Sequence, residues 1–192
     1  MVGNLPNFTK IDVLRCFLKF GKNIGRQELA RELELGEGTV RTILDMLKAS
    51  KLLDSTKKGH YVSRKGKEML SQIYGRIIPA KIAESKSVYP NFRKVGIVFK
   101  NAPEIKAAYR LRDIAVKNGA EGALILKFRK KLYAPDMDYK QDYSEFEEQF
   151  ELDENDALLI AFSDNKRHAE NGALAIAVEL DEGLKKFVNE FQ

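Results

Sequence analysis

Apolar residues recur at helical spacing three times in the first fifty positions. Ile11, Leu14, Phe17 and Leu18 mark one face of a helix. Thr9 is placed to cap it, and Asp12 sits in its first turn, where the helix dipole favours an acid. Gly21 and Gly25 frame the loop that follows. Leu29, Ala30 and Leu33 fall on one face of a second helix, Arg26 to Glu34, which closes at the turn Leu35-Gly36-Glu37-Gly38. A third helix is expected from about Glu37 to Ser50, with Val40, Ile43, Leu44 and Leu47 turned inward. The period then changes. Leu52 to Thr56 reads as a strand, Lys57-Lys58-Gly59 as a turn, and His60-Tyr61-Val62 as the returning strand of a small hairpin. Ser63 caps a fourth helix with Met69, Leu70, Ile73 and Ile77 on its face, and Ile77-Ile78-Pro79 is expected to end it.

Sheet and helix patterns alternate after that point. Lys81 to Val88 reads as extended, and Tyr89-Pro90-Asn91 as a turn. Lys94 to Phe99 is a strand. A helix is expected to start at Asn101-Ala102-Pro103-Glu104 and to stop at Asn118-Gly119. Gly122 to Phe128 is the next strand, continuing or pairing beyond Arg129-Lys130-Lys131. Asp156 to Phe162 is an unbroken apolar run of the sort buried on both faces. Lys166 to Leu180 is a helix, and Leu184, Phe187, Val188 and Phe191 mark a last short one. The expected fold is therefore two domains. Residues 1–76 form three helices with a β-hairpin, and residues 77–192 form an α/β (α+β) sandwich of three to five strands.

Charge sharpens this division. Residues 1–76 carry 15 Lys/Arg against 8 Asp/Glu, a net of +7, whereas residues 77–192 carry 18 against 20, a net of −2. A basic head on a near-neutral body is what a nucleic-acid-binding domain joined to a second module would show. Accidental clustering of surface lysines would show it as well. The single cysteine, Cys16, excludes an intramolecular disulfide and fits a reducing, cytoplasmic setting, where it reads as a small core residue. There is no apolar run of membrane-spanning length and no signal-peptide pattern at the N-terminus, so no membrane partner is expected.

The run Gly38-Thr39-Val40-Arg41, then Leu44, Leu47, Leu52 and Leu53, then the basic hairpin and Ser63-Arg64-Lys65-Gly66-Lys67, resembles winged-helix transcription regulators over about 70 residues. The chain departs from them at Ser50-Lys51, where many such proteins close the third helix with Gly. As a whole it is similar to an archaeal winged-helix family whose C-terminal domain has no assigned function. The resemblance implies a helix-turn-helix with a β-hairpin wing, and a role in transcription regulation. Its partner would be double-stranded DNA, read by a homodimer.

The residues themselves suggest how such contact would work. The outward face of the third helix presents Gly38, Thr39, Arg41, Thr42 and Asp45. A helix fits the major groove, where Arg bonds a guanine edge bidentately and Thr reaches bases or phosphates. Lys57, Lys58 and His60 at the hairpin tip would meet the backbone or minor groove. Asp45 would repel phosphate unless it faces away or meets a cytosine. The competing reading is a protein-interaction or enzymatic α/β module carrying a head that does not bind DNA.

In the second domain, Ser163, Asn165, Lys166, Arg167 and His168 occupy a turn between a buried strand and a helix, a position where an anionic effector can bind. A plain capped loop fits the same residues, since no phosphate-binding glycine motif is present. That domain is expected to sense a small molecule or to drive dimerisation. Asp136, Asp138, Asp142, Ser144 and Glu147 match calcium-loop positions one, three, seven, nine and twelve. Lys140 and Gln141 stand where an oxygen ligand and glycine are required, so the stretch reads as a solvated acidic loop with a short helix at Tyr143 to Phe150. With two histidines, one cysteine and no Gly-x-Ser-x-Gly, neither a zinc site nor a catalytic centre is expected, and no cofactor.

Overall fold

The computed structural model describes residues 7–20, 24–56, 59–137 and 141–191. They form two compact units, one of the residues up to Ile73 together with those from Lys185, the other spanning Tyr74–Leu184.

The first unit contains α1 (Lys10–Lys19), α2 (Arg26–Leu33), α3 (Glu37–Ala49) and a hairpin of β1 (Leu53–Thr56) and β2 (Gly59–Val62), followed by α4 (Arg64–Tyr74). A capping box opens α1. The Thr9 hydroxyl accepts the Asp12 N–H at 3.3 Å, and the Asp12 carboxylate accepts the Thr9 N–H at 2.8 Å. The other Asp12 oxygen accepts Arg15 Nη1 at 3.0 Å, and Arg15 also donates to the Leu33 carbonyl at 3.2 Å. Both side chains are fully buried. Arg15 thus satisfies a carbonyl left open at the end of α2, tying two helices together through one ion pair.

The C-terminal ends of α2 and α3 close by the same backbone device. After α2, Glu34 adopts φ 52°, with Leu35 N–H on the Ala30 carbonyl at 3.0 Å and Glu34 N–H on Arg31 at 3.2 Å. After α3, Lys51 adopts φ 61°, with Leu52 N–H on Leu47 at 2.9 Å and Lys51 N–H on Lys48 at 2.8 Å. These are Schellman closures, normally built on glycine. Lys51 makes one despite its Cβ, so the departure from the glycine pattern leaves the turn intact.

The hairpin pairs Leu53 with Val62 through Thr56 with Gly59. Ser63 Oγ then accepts the Gly66 N–H at 3.0 Å and donates to the Lys51 carbonyl at 2.6 Å. Glycine is required at 66, where a Cβ would lie 2.1 Å from the Leu52 carbonyl oxygen. The chain returns to this unit at its end. Phe187, on α8 (Glu182–Asn189), stacks on Phe17 at 5.3 Å and meets Phe191 edge-on at 5.2 Å. Nothing in the sequence marks this return.

The second unit is a five-stranded antiparallel sheet with helices. Its elements are β3 (Ile77–Ala83), β4 (Arg93–Phe99), α5 (Ala108–Lys117), β5 (Gly122–Arg129), β6 (Lys131–Tyr133), α6 (Ser144–Glu147), β7 (Ala157–Ser163) and α7 (Lys166–Leu180). The strand order is β3-β4-β7-β5-β6, and every pairing is antiparallel. Every residue of central β7 is buried, as its apolar run predicts. Alternate side chains divide between two layers. Val98, Leu124, Leu126, Leu158 and Ile160 pack under Tyr143, Phe146 and Phe150. The opposite face carries α5 and α7. There Gly172 lets α7 approach closely, since its Cβ would lie 2.7 Å from the Ala120 Cβ and 3.1 Å from that of Ala161.

Two expected boundaries move. The fourth helix stops at Tyr74, and Ile77 begins β3, opposite Phe99. The Arg76 carbonyl already accepts the Lys100 N–H at 2.8 Å, so sheet pairing claims the chain first. Pro79 sits where the β3 register shifts, on an edge strand, the position at which a residue without an N–H is tolerated. The helix expected from Asn101 begins only at Ala108. Asn101 donates its N–H to Asp156 Oδ1 at 2.9 Å, and Ala102 donates to the Asn155 carbonyl at 3.0 Å. These two bonds hold the segment against the turn before β7. Among the described residues no helix is long and apolar enough to cross a membrane.

Candidate nucleic-acid interface

α3 buries Val40, Ile43, Leu44 and Leu47 and leaves the opposite face to solvent. On that face Gly38, Arg41, Thr42 and Asp45 are exposed and Thr39 is half-buried. Arg41 has no hydrogen-bond or ion-pair partner among the described residues, so its guanidinium is available to a ligand. The space that a Cβ on Gly38 would take is open, which lets another molecule approach the backbone there. Thr42 is less available. Its hydroxyl donates to the Gly38 carbonyl at 3.2 Å and must turn away to meet anything else.

Asp45, the one acid on this face beyond the first turn, lies 3.5 Å from Lys48. This pair offsets the repulsion that a lone carboxylate would offer a phosphate. At the other end, Glu37 lies 3.7 Å from Arg26 at the start of α2. Sequence reasoning passed over Lys48 and Arg26. The i, i+3 spacing of Asp45 and Lys48 was the available signal for the first. The second depends on how the two helices meet, which spacing does not state.

The hairpin lies beside these helices, but its tip residues Lys57 and Lys58 are outside the described residues. His60, the third hairpin residue of interest, is half-buried, with its partner Ser55 across the ladder. Burial pushes its imidazole below the usual pKa of 6.5, and the charges of Lys48 and Arg26 push the same way against Asp45. The shift favours the uncharged ring over the charged form that would pair with a phosphate. Arg64 stands exposed at the start of α4, while Lys65 Nζ donates to the Ser50 carbonyl at 3.1 Å.

In the second unit, the turn Ser163 to His168 is held by its own side chains. Ser163 is buried, and its Oγ accepts the Asn165 N–H at 3.3 Å. Asn165 caps α7 by accepting the His168 N–H at 3.1 Å. Lys166 and Arg167 are half-buried, and the exposed His168 ring lies over Gly119. The turn does follow a buried strand and precede a helix. Every described pairing of the sheet is antiparallel, so the turn is not a switch point between parallel strands; the start of α7 remains the feature there that would favour an anion.

Other reactive groups are few. Cys16 is buried, and burial pushes its thiol up to about 12, so it stays a protonated core residue. Among the described residues no cluster of His, Cys, Asp and Glu is arranged to hold a metal ion. In the acidic segment, Asp138 and Lys140 lie outside the described residues. Asp136 pairs with Arg112 at 2.7 Å, Glu147 accepts the Leu132 N–H, and Glu145 accepts the hydroxyls of Ser85 and Ser87. These carboxylates bind the fold's own donors.

Comparison with known proteins follows the division of the chain. Residues 9–68 match the family described as "PH0730-like, N-terminal domain", and residues 90–180 match a domain of unknown function, DUF4443. No curated protein matches. A solved structure titled "Hypothetical protein PH0730 from Pyrococcus horikoshii OT3" is 27% identical, with a TM-score of 0.77 over 94% of this chain and 100% of that one. The chain is thus similar, across both units, to an archaeal hypothetical protein and to two domain families that carry no assigned activity.

Proposed function

We propose that the first unit is a winged helix-turn-helix that binds double-stranded DNA, and that the protein is a transcription regulator. The observation that carries this reading is the outward face of α3. There Arg41, with no partner among the described residues, stands beside an open Gly38, on a helix whose other face is used in the core. α3 enters the major groove with Arg41 on a base edge and Thr39 and Thr42 on bases or phosphates. The hairpin, with Lys57 and Lys58 at its tip, lies along the neighbouring backbone or minor groove. The net charge of +7 on residues 1–76 supports the encounter. The second unit supplies dimerisation or effector sensing, which lets two heads read a two-fold site. The 163–168 turn is the place in that unit where a small anion would first be sought.

Gel shifts of genomic fragments across a salt series test the reading. Binding should fall steeply with salt, as counterions are released from phosphates. Arg41→Ala should relax sequence preference, and Lys58→Ala should weaken binding to all sequences alike. Absence of binding at low salt, or binding indifferent to salt, would favour a protein-interaction role for this face.

A further inference from the structure

Helix α5 buries Ala108, Leu111 and Ala115 and turns a second stripe away from them. Tyr109, Arg112, Asp113 and Val116 stand at i, i+3, i+4 and i+7, so they share one face. Tyr109 is 54% and Val116 50% exposed. A lone exposed apolar side chain is ordinary, but these two are aligned, and a third adjoins them. Tyr133 is exposed on β6, and its neighbour Leu132 packs under Phe146. Tyr133 therefore leaves the sheet on the α5 side. Just beyond it, Asp136 binds Arg112 at 2.7 Å and draws the end of β6 to the helix. The charges on this face are only partly used. Arg110 lies over the Tyr109 ring at 5.8 Å and donates to its hydroxyl at 3.2 Å. Asp113, three positions on, has no partner among the described residues.

We propose that the dimer attributed above to the second unit, an attribution on which this rests, is built on α5 pairing antiparallel with α5 of a second copy. The face is complementary to itself. Arg112 and Asp113 lie midway between Tyr109 and Val116, so a two-fold axis between them sets each Tyr109 on the partner's Val116. Such reciprocity is what a closed dimer requires, since each contact is then made twice. The same axis brings each Asp113 within reach of the partner's Arg110. The two Asp113 carboxylates come near one another there, and the arginines of both copies offset their repulsion. One helix face with a strand edge is smaller than a permanent interface, so the dimer is a weak one, with Kd of about 1–100 μM.

The test is sedimentation of the full chain, without DNA, over a concentration series. A monomer–dimer equilibrium is expected. Tyr109→Ala and Val116→Lys should each weaken it about tenfold or more. Ile82→Lys, at an equally exposed apolar position on β3, should leave it unchanged. Cross-linking reads the register. An equal mixture of Tyr109→Cys and Val116→Cys chains should form a disulfide-linked dimer under mild oxidation, and neither variant alone should. The axis sets like positions about 10 Å apart along the helices, beyond the reach of a disulfide. Cys16 is fully buried, so the introduced thiols report alone. A dimer that Val116→Lys leaves intact, or that Ile82→Lys abolishes, would overturn the proposal and keep dimerisation elsewhere. Equal cross-linking of either variant alone would overturn the two-fold register. A chain that stays monomeric up to about 500 μM, beyond the range set by the size of the face, would overturn both the proposal and the dimerisation it rests on. The face would then be left to another protein or to solvent.

Discussion

In the sheet unit, lysines turn inward. Lys94 Nζ donates to the carbonyls of Tyr89 and Phe92 at 2.9 and 3.1 Å, and Lys127 Nζ to those of Ala102 and Asn155 at 2.8 and 2.6 Å. Lys100 Nζ holds the Tyr74 carbonyl at 3.2 Å. Burial pushes the ammonium groups of Lys94 and Lys127 below the usual lysine pKa, a cost that the carbonyl contacts offset. On α3 of the head, by contrast, Arg41 is exposed, with no partner among the described residues. Similar numbers of cations are thus employed differently. One unit uses several to close loops, and the other leaves Arg41 on an exposed helix face where a ligand can reach it. Net charge alone understates this difference, because an ammonium group buried on carbonyls contributes little to recognition.

The head has a fully buried cation of its own, Arg15, and it gives the largest expected effect. Arg15→Ala should leave the Asp12 carboxylate buried without its counter-charge and the Leu33 carbonyl without its donor. A loss of about 3–5 kcal/mol is expected, read as a lowered urea midpoint. If the loss is below about 1 kcal/mol, water reaches this pair and the head's inner cation resembles an exposed one.

A matched pair of variants addresses the contrast directly. Arg41→Ala should cost about 1–3 kcal/mol of discrimination between DNA sequences and leave the melting temperature nearly unchanged. Lys127→Met should cost about 1–2 kcal/mol of stability and leave DNA binding unchanged, because it takes the lysine donor from the Ala102 carbonyl and one of two donors from the Asn155 carbonyl, both far from α3 in the sequence. Equal effects of the two on both readouts would dissolve the comparison. A gain is expected at Lys51→Gly. The residue holds φ 61° in a glycine-type closure, so removing its Cβ should stabilise the protein by about 1 kcal/mol in chemical denaturation.

The smallest effect concerns an acid. Glu145 is held near a pKa of about 2 by the hydroxyls of Ser85 and Ser87, and by the N–H groups of Lys86 and Ser87. Its folded pKa lies below its unfolded one. The stability it lends is therefore complete above about 4.5 and is lost as pH falls from there toward about 2. Glu145→Gln should flatten that part of the stability profile slightly. No change between pH 5 and pH 2 would mean that the Ser85–Val88 loop does not depend on the carboxylate.

Several parts of this molecule were legible because they are local. Thr9 and Asp12 form their capping box within four residues, and the faces of α1, α2 and α3 repeat at helical spacing. The hairpin follows from its turn, and the residues available on α3 follow from those it buries. The state of those residues was less legible. Thr42 is tied back to Gly38, Asp45 is partly neutralised by Lys48, and His60 is half-buried with its Nδ1 shut off from solvent. Each depends on a neighbour that periodicity does not rank. The orphaned Nδ1 of His60 had no counterpart in the sequence at all.

By itself the sequence determined the helix faces, the hairpin, the buried central strand and the basic balance of the first 76 residues, since each is set by residues a few positions apart. Tertiary structure decided that β7 lies between β4 and β5, that every pairing is antiparallel, and that Phe187 returns to Phe17. It also decided which cations are used up. Lys127 finds its carbonyls 25 and 28 residues away in the chain, and Arg15 finds one 18 residues away. Local spacing encodes which way a side chain faces; only the folded chain brings the partner that it will meet.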